Sequence, residues 1–209
     1  MAGGSNGAVL EANQVREEQI VKAAAALFSS GGYTSTSMTE VAEAVGLSKP
    51  GLYHYFPNKE KVLERVSQNA VDLLLAHLEA ILAMSGPVEH RLRELVIGRV
   101  EVICQNHDAL KVFWQERGRL GRQANARLNK RFHSYHDDVV GMVIEGQRAG
   151  VIRSELDPHM VMLAILGMTG WTYLWIKPDG RLTARQIGET FWQVIGVGLL
   201  SRVRQPVAR

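Results

Sequence analysis

Cysteine is nearly absent: Cys104 stands alone among 209 residues. No intramolecular disulfide can form, which points to a reducing compartment. A lone thiol packs as a small hydrophobe, so Cys104 is expected to be buried. A basic start followed by an apolar core is missing as well. The opening "MAGGSNGAVLEAN" is small and polar, and residues 1–13 are expected to form a disordered arm rather than a signal peptide. Long apolar runs are scarce. The longest, Met160–Ile176, spans 17 uncharged residues, the lower edge of a membrane span. Gly167, Thr169, Gly170 and Thr172 dilute it and no anchor pattern flanks it, so a helix buried in a core or an interface is expected, with no membrane partner.

Strand signals are missing too, since no segment alternates convincingly. So are the signatures of common enzymes: there is no G-x-S-x-G, Walker loop, G-x-G-x-x-G or H-E-x-x-H. Asp137-Asp138 lacks a partner base, and no catalytic residue is expected. His133, His136 and Asp137 have the spacing of metal ligands on one helical turn, with His107 or His159 available to complete a set. Helical histidines are more often structural or exposed, so neither a metal nor a cofactor is expected.

What is present reads as helix almost throughout. Hydrophobic residues make up 46% and charged residues 22%, the balance of a globular chain able to bury a core. Periodicity and caps predict helices over 15–30, 38–45, 48–56, 58–84, 88–105, 108–118, 122–149, 157–176 and 183–203. Gly31-Gly32 stops the first. Ser37 and Glu40 form an S-x-x-E capping box for the second, and Gly46 ends it. Ser48 caps the third, whose first turn tolerates Pro50. Pro57-Asn58 stops the third and caps the fourth. Lys177-Pro178-Asp179-Gly180 is a turn.

The third segment lies in "GLSKPGLYHYFPNKE", residues 46–60. Val41 and Val45 sit one turn apart on one helix, Leu52 and Phe56 one turn apart on the next. Ala42 is small enough for a close crossing, Gly46 permits a tight bend, and Leu47 can plug the corner. This is a helix-turn-helix, and its second helix is short enough to enter a major groove. Lys49, Pro50, Tyr53 and His54 fall opposite the apolar pair. Tyr and Lys suit phosphates, whereas His and the bare backbone at Gly51 suit base edges. Lys59 opens the next helix, where free N–H groups favour an anion. Such corners also occur in helical domains that never touch DNA, and charge does not separate the two readings. The formal net charge is only +3, and residues 1–65 hold six Lys or Arg against seven Asp or Glu.

The stretch "LFSSGGYTSTSMTEVAEAVGLSKPGLYHYFPNKEKVL" closely resembles the signature of the TetR family of bacterial transcriptional regulators. The resemblance covers residues 16–65. It rests on Gly32-Tyr33, Thr36-Ser37, Val41-Ala42, Gly46-Leu47-Ser48, Leu52-Tyr53, Tyr55-Phe56 and Lys59-Glu60. It implies an all-α fold, with a three-helix DNA-binding domain at residues 14–65 and a helical bundle for ligand binding and dimerisation at 66–209. It also implies a cytoplasmic, nucleoid-associated bacterial repressor. By position, its contacts to double-stranded DNA would be Ser37, Thr39, Ser48, Lys49, Pro50, Gly51, Tyr53, His54 and Lys59. A homodimer on a palindromic operator, released by a small-molecule effector, is the expected assembly.

The C-terminal half carries two broad apolar stripes. One runs through Met160, Leu163, Ala164, Gly167, Met168, Trp171 and Trp175, the other through Ile187, Phe191, Val194, Ile195, Gly198 and Leu199. The resemblance implies that this pair dimerises. Phe113, Trp114, Phe132, Tyr135, Met142, Trp171 and Tyr173 are candidate walls of an apolar pocket, although core packing is the commoner fate of each. "RGRLGRQANARLNKR", residues 117–131, has six basic residues and no acid. A run of this kind is usually a solvated face; its sharper meaning is a phosphate clamp built on residues such as Arg117 and Arg122. The tail also looks similar to TetR regulators of steroid and fatty-acid catabolism that sense acyl-CoA compounds. The effector expected is therefore an amphipathic organic acid or an acyl-CoA. A multidrug-type sensor and a ligand-independent DNA-organising factor are the alternatives.

Overall fold

The computed structural model describes residues 4–177 and 180–200, with side chains from residue 11 onward. The described residues are helical except for turns and one isolated antiparallel bridge, Ile152 to Leu200. They fall into two compact units, residues 4–71 with 106–128, and residues 72–105 with 129–200.

The first unit starts with α1 (Gly4–Gly31). This helix takes in residues 4–13, which composition alone assigns to a disordered arm. Leu10, Glu11 and Ala12 are good helix formers, and Arg16 anchors the helix by donating to Val45 O at 2.7 Å. Ile20, Val21, Ala24, Ala25 and Phe28 form its buried face. Gly32, at φ 86°, ends it as expected. Then follow α2 (Met38–Ala44), α3 (Lys49–Tyr55) and α4 (Lys59–Leu82). The same unit includes α6 (His107–Glu116), which ends in a 3-10 turn at Arg117–Arg119, and the first turns of α7 (Arg122–Arg148). Lys111 Nζ ties α6 to α1 by donating to Ser29 O at 2.9 Å. The first unit thus draws on residues from both sides of the division expected near residue 65.

The second unit holds the end of α4, α5 (Val88–Gln105), the rest of α7, α8 (Pro158–Gly170) and α9 (Ala184–Leu199). Helix α5 is its axis: Leu92, Leu95, Val96, Ile97, Val100 and Ile103 are all fully buried. Helix α9 lies against it so closely that a Cβ on Gly188 would sit 2.7 Å from Ile97 Cα. Gly188 is thus a glycine that close approach requires. Asp157 caps α8 and Thr183 caps α9, each accepting from a backbone N–H three residues on. The helix expected over 157–176 stops at Gly170 and continues only as a 3-10 turn at Trp171–Leu174, which breaks the long apolar run. Among the described residues no helix is long and apolar enough to cross a membrane. Residues 201–203 of the last expected helix, and Pro178-Asp179 of the expected turn, lie outside the described residues. Gly180 N does donate to Lys177 O at 3.1 Å. Cys104 is half-buried against Val100, Ile176 and Ile187, and that burial pushes its thiol pKa up, away from reactivity.

Candidate nucleic-acid interface

Helices α2 and α3 are fixed by local hydrogen bonds before any tertiary contact is considered. Ser37 Oγ accepts from Glu40 N at 3.2 Å, and the Glu40 carboxylate accepts from Ser37 N at 2.6 Å, the expected capping box. The same bond holds the Glu40 pKa below the usual carboxylate range. Helix α2 ends with Gly46 at φ 64°. Gly46 N donates to Glu43 O at 3.0 Å and Leu47 N to Ala42 O at 2.9 Å, the paired bonds of a Schellman stop. Ser48 Oγ then accepts from Gly51 N at 3.2 Å, and α3 begins with Pro50 in its first turn. The bend between the helices is therefore four residues, 45–48.

Packing decides which side of α3 remains free. Leu52 is its only fully buried residue, and Phe56 is buried just beyond it. Lys49, Pro50, Tyr53 and His54 are exposed, Gly51 is half-exposed, and Ser37, Thr39 and Ser48 are exposed on the neighbouring helix start and turn. Eight of the nine candidate DNA contacts thus lie on two adjoining short elements, seven of them exposed. Tyr55 is half-buried, its hydroxyl 3.5 Å from Asn13 Oδ1.

Lys59 is the exception. Its ammonium donates to three carbonyls, Tyr33 O at 2.8 Å, Thr34 O at 3.2 Å and Thr36 O at 2.9 Å, and lies 4.5 Å from the Tyr33 ring centroid. A lysine has three donors, and here each has an acceptor within the chain. Lys59 therefore clamps the α1–α2 loop instead of reaching outward. What remains at that corner is the start of α4, capped by Asn58, whose Oδ1 accepts from Lys61 N at 2.9 Å. Charge-assisted bonds of this kind are worth about 2 kcal/mol in sum when the cation is removed and the carbonyls rehydrate. K59M is expected to lower the melting temperature by about 5 °C. An unchanged melting temperature would show that the clamp is dispensable.

The candidate effector residues are divided between the two units. Phe113, Trp114, Arg117 and Arg122 belong to the first unit; Phe132, Tyr135, Met142, Trp171 and Tyr173 belong to the second. Phe113, Tyr135 and Met142 are buried, whereas Arg122 and Trp171 are exposed. Trp171, 62% exposed, joins Leu174 and Trp175 at the 3-10 turn, Met160 and Leu163 on α8, and Val194 and Val197 on α9 as exposed apolar side chains. The arginine run is largely engaged. Arg117 lies over the Phe113 ring at 5.4 Å, Arg119 donates to Glu116 at 2.6 Å, Arg127 pairs with Glu64, and Arg131 pairs with Asp72 at 2.6 Å. No group of three or more metal-ligating side chains occurs among the described residues. His136 instead has its pKa lowered by burial first, and then by Arg99 and His133.

A doubly capped helix-turn-helix with a short, outward-facing second helix is the arrangement by which DNA-binding transcription regulators enter a major groove. Comparison with known proteins agrees. The family model for bacterial regulatory proteins of the tetR family matches residues 20–66, and the model for the tetracyclin repressor-like C-terminal domain matches residues 85–199. The chain is 26% identical over 185 residues to the HTH-type transcriptional repressor KstR2 of Mycobacterium tuberculosis, covering 88% of this chain and 92% of that one. The solved structure of the ketosteroid transcriptional regulator KstR2 of M. tuberculosis is similar, with a TM-score of 0.82 at 25% identity over 89% of this chain and 95% of that one. AibR, solved in complex with isovaleryl coenzyme A and operator DNA, has a TM-score of 0.76 at 31% identity over 87% and 97% of the two chains. The chain belongs to the TetR family of bacterial regulatory proteins.

Proposed function

We propose that this TetR-type regulator is a repressor that binds a palindromic operator in double-stranded DNA as a homodimer. A small-molecule effector, an organic acid or its coenzyme A thioester, releases it. Residues 14–65 read DNA and residues 66–209 serve ligand binding and dimerisation, in the bacterial cytoplasm and on the nucleoid. The observation that carries the DNA half is the outward face of α3: Lys49, Pro50, Tyr53 and His54 are exposed while Leu52 seats the helix. Lys49 and Tyr53 meet phosphates, His54 and the Gly51 backbone approach base edges, and Ser37, Thr39 and Ser48 contact the strand at the helix starts. At Lys59 the phosphate meets the backbone N–H groups that open α4, since the side chain is engaged elsewhere.

The homodimer is supported by the exposed apolar side chains of α8 and α9. A monomer rarely leaves so many uncovered, and the Cβ positions of Gly167 and Gly198 have no neighbour within 4 Å. The effector class is supported by the likeness to AibR, which was solved with isovaleryl coenzyme A. Release requires the effector to favour the DNA-free state, because equal affinity for both states shifts nothing. Helices α4 and α7, which each contribute to both units, are covalent links between the two activities.

Anisotropy titrations test the interface. K49A should weaken every duplex alike and flatten the log–log salt slope by about one unit per lost contact. H54A should relax discrimination at one base pair per half-site by about 1–3 kcal/mol. Equal behaviour of the two variants on all sequences would remove the base-reading role. If uncharged lipophilic compounds release the operator while acids and thioesters do not, the multidrug-sensor alternative replaces the effector assignment.

A further inference from the structure

Arg99 is the anomaly of the second unit. It lies on α5 among fully buried Leu92, Leu95, Val96 and Ile103, and is 3% exposed. Arginine keeps its charge at any physiological pH, and a buried charge is costly unless paired. The other arginines of α5 have carboxylates: Arg91 pairs with Glu145, and Arg93 with Glu94 at 2.6 Å. Among the described residues none reaches Arg99. Its partners are two neutral hydroxyls: Nε donates to Thr169 Oγ1 at 3.0 Å, and Nη1 to Tyr135 Oη at 2.8 Å. The guanidinium carbon is 5.3 Å from the Tyr135 ring centroid.

The surroundings repeat the pattern of unmet polarity. Nη2 of Arg99 has no acceptor among the described residues, and neither has the Tyr135 hydroxyl proton. His77, on α4, presses on the next residue of α5: a Cβ on Gly98 would lie 2.2 Å from its Nε2. Its other nitrogen, Nδ1, is buried without a hydrogen-bond partner. Burial, then Arg99, pushes the His77 pKa down to about 4 against an opposing pull from Glu94. His136 is lowered by burial, Arg99 and His133 against Asp137. Both imidazoles are therefore neutral near pH 7. The cluster carries one positive charge, on Arg99, with donors left over.

We propose that Arg99, Tyr135 and His77 form a binding site for the free carboxylate of an apolar organic acid, the ion that the buried guanidinium lacks. This rests on the effector-released repressor reading and narrows its ligand. The carboxylate would take the Nη2 donor and the Tyr135 hydroxyl proton, in charge-assisted bonds. A single anionic charge matches the single cation. A thioester carbonyl is neutral and would leave Arg99 uncompensated. The phosphate clamp expected at residues 117–131 is a weaker candidate, because Arg119, Arg127 and Arg131 already have carboxylates of their own.

The test is a thermal-shift and calorimetric series on the full chain. The probes are sodium salts of straight-chain acids from acetate to dodecanoate, their methyl esters, and their coenzyme A thioesters. The free acids are expected to raise the wild-type melting temperature by several degrees at saturating concentration, with an optimum chain length, while esters and thioesters do not. R99M should melt at or above the temperature of the free wild type, because an unpaired buried charge has gone, and should bind the best acid at least 100-fold more weakly. Y135F, which keeps the arginine, should lose about tenfold and provides the readout if R99M does not fold. The proposal is overturned if no acid stabilises the wild type, or if acids and methyl esters bind equally. Operator release is measured in parallel. Acids that bind through Arg99 yet leave the operator bound would uphold the site and sink the regulatory reading. Release by thioesters alone, with no acid binding, would do the reverse.

Discussion

Replacing Val197 with glutamate is expected to convert the protein from dimer to monomer at micromolar concentration and to lower operator affinity at least 100-fold. Val197 is 74% exposed on α9, and Val194, one turn earlier, is also exposed. Leu163 and Met160 on α8 are exposed too, so apolar side chains of two helices are left without cover from their own chain. In a two-fold dimer each substitution enters the interface twice. Two carboxylates buried without partners cost a few kcal/mol each, and every 1.4 kcal/mol is about tenfold in the dissociation constant. A monomer can hold only one half-site. Light scattering and anisotropy read the two effects together. V15E, which alters another exposed valine, on α1 in the first unit, is the control and should remain dimeric. A dimeric V197E with unchanged affinity would move the interface elsewhere.

The complementary substitution is L52A. Leu52 has no exposed surface and is the buried residue that seats α3. Truncating a buried leucine costs about 3 kcal/mol, and here the cost falls on a seven-residue helix that has little else to hold it. L52A should lose specific operator binding almost completely while staying dimeric. Hydrogen exchange should accelerate over residues 38–56 and remain slow in α5. L52A thus separates DNA reading from assembly. An L52A protein that was also monomeric would mean that the units do not act independently.

The features legible in the sequence were those set within a few residues of the chain. The Ser37–Glu40 box, the stop at Gly46, the Ser48 cap with Pro50, and Asp157-Pro158 at the start of α8 all complete their bonds within about one turn. That is why the helix-turn-helix and most helix boundaries were readable. Charged residues were harder, because their fates depend on distant partners. Lys59 is engaged by carbonyls 23 to 26 positions away. Arg99, unremarkable in "VIGRVEV", is buried by groups 36 and 70 positions away. No local signal marks either. The end of α8 was missed for a related reason. Apolar composition runs on to Ile176, but the chain turns at Gly170, where Thr172 Oγ1 donates to Thr169 O at 2.6 Å and tightens the path. The aromatic residues offered as pocket walls had the same ambiguity. A buried Tyr135 and an exposed Trp171 carry similar hydrophobic weight in a sequence pattern, and only packing separates them.

The most direct test of the regulatory account is a selection of the purified protein against fragmented bacterial genomic DNA, followed by footprinting of the enriched sites. The account predicts enrichment of a palindromic sequence occupied by an even number of protomers. Affinity should fall steeply with salt, and enrichment should disappear in both V197E and L52A. Recovery of DNA with no shared palindrome, bound equally well by V197E, would contradict it.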